Sequence, residues 1–103
     1  MFKIVLMMII ALHLHASSAN IIKSPNDSKN CNYYILKDNI YYSIVEWLSE
    51  DQANKNNTYI GDYYRKGIST IYDITSHEEI SVWVEEYSKS KSFIEEEYKS
   101  ICK

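Results

Sequence analysis

Groups that could ionise, attack or coordinate are few in this chain. Its three His are His13, His15 and His77, and its two Cys are Cys31 and Cys102. His77 stands beside Glu78 and Glu79, but acid–base catalysis needs a substrate or nucleophile within hydrogen-bond reach. A metal site on a helix would need a second ligand at helical spacing, and none follows His77. Glu85-Glu86 and Glu95-Glu96-Glu97 look like acidic clusters. Consecutive residues of a helix point about 100° apart, so these carboxylates do not converge as a catalytic pair must. The chain also lacks a phosphate-binding glycine loop, a nucleophile elbow, a Cys-x-x-Cys motif and the alternating Asp/Asn of a calcium loop. No catalytic, cofactor-binding or metal residue is assigned, and an enzyme is not expected.

The remaining chemistry is covalent and surface chemistry. An even number of Cys in a small chain points to a disulfide in an oxidising compartment. Cys31 and Cys102 form a natural end-to-end staple, or a link between two chains. The triplets Asn26-Asp27-Ser28 and Asn56-Asn57-Thr58 are N-glycosylation sequons. Ten Tyr, with the adjacent pairs Tyr33-Tyr34, Tyr41-Tyr42 and Tyr63-Tyr64, exceed what a small core can bury. Exposed Tyr is enriched at binding surfaces, and Tyr34, Tyr41, Tyr42 and Tyr63 are the candidates for such a surface. An AT-rich coding sequence would give the same bias.

The compartment is read from the N-terminus. Lys3, the apolar run 4–12 and the small residues Ala16, Ser17, Ser18 and Ala19 make a secretory signal with cleavage expected after Ala19. The run is too short to span a bilayer, which needs about 20 residues. Residues 20–30 carry the only Pro and read as a flexible leader. Residues 31–103 then form a single domain.

The elements that must position these groups read as helical. Tyr33, Leu36, Ile40, Ile44 and Trp47 fall on one helical stripe, and a helix is predicted over 38–51 with Asp38 as N-cap. The β-branched and aromatic content of 33–45, around the turn residues Lys37-Asp38-Asn39, leaves a hairpin as the alternative. A second amphipathic helix is expected over 58–74. A third over 77–102 opens on a Ser76/Glu79 capping box and carries Ile80, Val84, Tyr87, Lys91, Ile94, Tyr98 and Ile101 at 4–3 spacing. Ser92 and Glu95 offer a second capping box, which would divide this helix in two.

The chain has 103 residues, 11 Lys+Arg against 14 Asp+Glu, and a net charge of −3. That size allows one domain, and the unclustered basic residues exclude a nucleic-acid partner. The negative charge argues against a membrane-active helix. The expectation is an all-α bundle of three to four helices, or an α+β fold with a hairpin at 33–45. It would be secreted and would act by binding an extracellular protein as an effector, ligand or inhibitor.

The layout of a signal, a short helical chain and a Cys near each end, closing Ser100-Ile101-Cys102-Lys103, resembles that of secretoglobins. The resemblance implies a disulfide-linked helical dimer around an apolar cavity, and so a carrier of a small hydrophobic ligand. The segment before Cys31 is longer than in that layout, and no residue role is transferred.

Overall fold

In a computed structural model, residues 17–25, 31–50 and 52–102 are described. They form six antiparallel strands and one helix: β1 Ser17–Lys23, β2 Tyr33–Lys37, β3 Tyr42–Trp47, β4 Tyr59–Gly61, β5 Gly67–Asp73, β6 Glu78–Ser88 and α1 Lys91–Ile101. The strands close into a barrel in the order β1-β2-β3-β6-β5-β4. Two three-stranded meanders are thus joined along β3–β6 and along the short β1–β4 seam. This overturns the all-α helical bundle, and with it the helices expected over 38–51 and 58–74. Of the helix expected over 77–102, only Lys91–Ile101 is helical, the rest being β6 and its turns.

The reason lies in two hydrophobic cores that share strands. The barrel interior holds Ala19, Leu36, Val45, Trp47, Tyr59, Tyr63, Ile71, Ile80, Val82 and Val84. A second core lies outside the barrel, where Ile94, Tyr98 and Cys102 pack on Ile35 and Ile44. Strands β2 and β3 therefore bury both faces: Leu36 and Val45 point in, Ile35 and Ile44 point out beneath α1. Burial on both faces erases the period-2 alternation that marks a half-buried strand and leaves a continuous apolar run. Such a run also satisfies a helical stripe.

Strand β6 is the opposite case. Ile80, Val82 and Val84 are buried while Ser81 and Trp83 are exposed, a plain alternation. The 4–3 series takes in Ile80 and Val84 but skips Val82, and it joins a strand to a real helix. The helix starts at Ser90, whose hydroxyl accepts from the Phe93 N–H at 3.2 Å. Neither Ser76 nor Ser92 is that cap. Ser76 instead lies in the β5–β6 turn, where Asp73 Oδ1 accepts from the N–H groups of Thr75 and Ser76. His77 closes this turn at φ 62°, donating its N–H to the Asp73 carbonyl at 2.8 Å.

Residues 33–45 form a hairpin around Asp38, which accepts from the N–H groups of Ile40 and Tyr41 through Oδ1, both at 2.7 Å. Such an Asx turn is why Asp is favoured there. In β1 Ala19 and Ile21 point in while Asn20 and Ile22 point out, Ile22 to 40% exposure, and the register to β2 shifts between Ile21 and Lys23. The stretch read as a leader contributes Asn20 to Lys23 to β1; residues 26–30 lie outside the described residues.

Candidate interaction surface

Helix α1 covers only one outer face of the barrel. Its apolar side, Ile94 and Tyr98, sits on β2 and β3, and the Tyr98 hydroxyl donates to the Tyr33 carbonyl at 2.9 Å. The disulfide between Cys31 and Cys102, with Cα atoms 5.8 Å apart, ties the end of α1 to the start of β2. The bond lies within one chain, so these two Cys are not available to link a covalent dimer as the secretoglobin layout implied.

Among the described residues, no element covers Ile68 and Trp83 on the outer face of β5 and β6. Ile68 stands directly opposite Trp83 in the ladder, and their exposures are 74% and 40%. Directly paired residues share a face, so one row runs across four strands: Tyr33, Glu46, Trp83, Ile68. Further along the same face, Tyr72 is exposed opposite Glu79. The Trp83 indole donates to Glu85 Oε2 at 2.9 Å, which fixes the ring on this face. Glu46, Glu79 and Glu85 give the apolar centre an acidic surround. Burial first, then Glu46 and Glu85, raises the Tyr33 hydroxyl above its usual pKa.

The tyrosines chosen from the sequence go to different places. Tyr63 is core, 1% exposed, and donates to the Tyr59 carbonyl at 2.8 Å. Burial, with Asp38 and Tyr59 adding to it, pushes its hydroxyl far above the usual range. Tyr34 is half-buried with its ring edge-on to Trp47 at 5.5 Å. Tyr42 packs at the margin of the helix-covered core, with Lys37 Nζ 5.5 Å from its ring. Tyr41 joins a half-buried corner with Tyr64 at 4.5 Å and Tyr87 at 6.0 Å, and Lys89 approaches its ring at 5.7 Å. Of the adjacent pairs only Tyr33-Tyr34 lies in a strand, where neighbours point to opposite faces. The wholly buried Tyr63 belongs to the β4–β5 loop and folds into the barrel from there.

Among the described residues, two clefts on the barrel's flank bear on binding. One of about 390 Å³ is lined by Ser17, Ser18, Asn20, Asp38, Asn39, Ile40 and Tyr64. Asp38 is 9% exposed, and its Oδ2 has no hydrogen-bond partner among the described residues. The other, about 450 Å³, brings Lys23, Lys55 and Lys99 near Tyr98 and Cys102. The space within the barrel is filled by Trp47, Tyr59 and Tyr63, each under 5% exposed.

His77 Nδ1 lies 3.2 Å from the Tyr72 hydroxyl, on the surface of the hairpin. Glu86 pairs with Lys66, Glu95 with Lys91 and Glu96 with Lys99, all in exposed or half-exposed contacts. Asn56 is exposed in the β3–β4 loop, where a glycan would meet no obstruction from the core. Asn26 and residues 1–16 of the signal lie outside the described residues.

Sequence reasoning missed Ile68 and Trp83. The signal was present in the alternation Ile80-Ser81-Val82-Trp83-Val84, which puts a Trp on the solvent side of a strand. Comparison with protein-family models, curated proteins and solved structures finds no match.

Proposed function

We propose that this is a secreted, non-enzymatic binding domain that engages an extracellular protein through the β5–β6 face. One observation carries the proposal: of two apolar outer faces on the same barrel, one is covered by α1 while Ile68 and Trp83 remain bare. An exposed apolar centre holding a Trp, ringed by polar groups, has the anatomy of a binding hot spot. The acidic surround of Glu46, Glu79 and Glu85 favours a partner whose own rim is basic, and such complementarity acts mainly on association rate and specificity.

A small apolar ligand carried inside the barrel is less well supported, because Trp47, Tyr59 and Tyr63 occupy that space. Paired affinity capture from the extracellular fluid of the source organism tests the proposal. Wild-type protein and a Phe93→Ser control, altered on exposed α1, should retain the same partner, and Ile68→Asp should lose it. Equal retention by all three baits would refute the assignment of the face.

A further inference from the structure

Resting on the secreted function proposed above, we infer that the signal is removed between Ala16 and Ser17, three residues before the site that small-residue spacing alone suggests. Residues Ser17, Ser18 and Ala19 are the barrel's closing seam: they pair with Gly61, Ile60 and Tyr59 of β4, and these are all the β1–β4 pairs among the described residues. Ala19 is 1% exposed within the interior core. The Ser17 hydroxyl lies 2.6 Å from the Tyr64 hydroxyl, a contact spanning 47 positions of the chain.

Cleavage after Ala19 would delete the whole seam. Strand β4, three residues long, would keep a neighbour on one side only, at Asp73 and Tyr72 of β5. The Tyr59 ring, fully buried with its hydroxyl held between the N–H and carbonyl of Asn54, would lose the wall that Ala19 provides. Cleavage after Ser18 keeps Ala19 but removes the Ser17 and Ser18 pairings and the Tyr64 contact. Cleavage after Ala16 keeps all of them. It places the small Ala16 immediately before the cut; Leu14 at the −3 position departs from the small-residue pattern, so it is the seam that favours this site. The amino group so created belongs to a residue lining the same cleft as Asp38.

The test is secretion of the full chain from insect cells, followed by N-terminal sequencing and intact mass after enzymatic deglycosylation. A secreted chain beginning at Ser17 is the expected result. A secreted chain beginning at any later residue overturns the assignment and leaves secretion standing. A chain retained in the cells with residues 1–16 attached overturns the compartment as well. As a second readout, disulfide-intact chains 17–103 and 20–103 are compared in solution. The shorter chain should melt lower by about 15 °C or more, from the loss of several ladder hydrogen bonds. Its β4 amides should exchange on the order of 100-fold faster. Equal melting and equal exchange would show that the seam is not part of the mature fold.

Discussion

At Gly61, β4 passes close to Ile71 of β5, and replacing the glycine with Ala gives a sharp test of the packing there. A Cβ at Gly61 would lie 2.5 Å from Ile71 Cγ2 and 3.1 Å from Ile71 Cβ. Real side chains do not approach so closely, so something must move. Ile71 is fully buried and cannot swing into solvent, and Gly61 cannot retreat freely because it pairs with Ser17 on its other side. Overpacking of this kind costs about 1–3 kcal/mol, offset by about 0.4–1 kcal/mol from the stiffer unfolded chain. A net loss of about 1–2 kcal/mol is expected from these two opposing terms.

Ile71→Ala alone should cost about 2–5 kcal/mol, but it removes the Cγ2 methyl that a new methyl at position 61 would strike. The double variant should therefore be more stable than the sum of the singles by about 1 kcal/mol or more. Urea unfolding followed by fluorescence of the buried Trp47 supplies all three values. Gly67→Ala is the control. Nothing lies within 4 Å of a Cβ there, but its φ of +116° strains any side chain, so its cost should be indifferent to Ile71. Additivity of Gly61→Ala and Ile71→Ala within about 0.5 kcal/mol would refute the close approach of β4 to β5.

Other outcomes follow from single features. Replacing both Cys31 and Cys102 with Ser opens a loop of sequence separation 71 and should cost about 4 kcal/mol on the chain-entropy account, read by the same urea titration. The wild type should run as a monomer on a non-reducing gel. For Asp73, burial opposes its charge, but hydrogen bonds from Asn57, Ser76 and Thr75 outweigh it and hold the pKa below 3.8. The lowered value means its stabilisation is complete above about pH 4 and fades as pH falls through the folded pKa; Asp73→Asn should flatten that acid limb. Tyr33, Tyr34, Tyr59, Tyr63 and Tyr98 all have raised pKa values, chiefly through burial. The unfolded chain then releases protons near pH 10 that the fold retains, so stability should drop as pH rises past about 10. Tyr63→Phe should make that alkaline loss shallower.

What was legible in the sequence follows the faces of the strands. The pairing of Cys31 with Cys102 could be proposed from count and compartment, because an end-to-end staple depends little on the fold between its ends. The fold class could not be read from β2 and β3. Ile35, Leu36, Ile44 and Val45 are all buried, because one member of each pair faces the barrel and the other faces α1. The apolar periodicity alone does not separate that pattern from a buried helix; only the β-branched and aromatic content and the turn residues Lys37-Asp38-Asn39 favour the hairpin. The β6 alternation does carry the information, in Ile80, Val82 and Val84, but the Ser76/Glu79 pair and the true helix downstream extend a false 4–3 series through it. Counting tyrosines points to binding without locating it, since Tyr63 fills the barrel while Ile68 and Trp83 make the bare face.

The most direct test of the account is a binding titration of the captured partner against wild type, Ile68→Asp, Trp83→Ala and Phe93→Ser. Each variant would first be shown to unfold at the same urea midpoint as wild type, within about 1 kcal/mol in stability. If the β5–β6 face is the interface, Ile68→Asp and Trp83→Ala should each weaken binding by about 30-fold or more, as loss of a roughly 2 kcal/mol hot spot does, while Phe93→Ser leaves it unchanged. Unaltered affinity in both face variants, or a loss confined to Phe93→Ser, would contradict it.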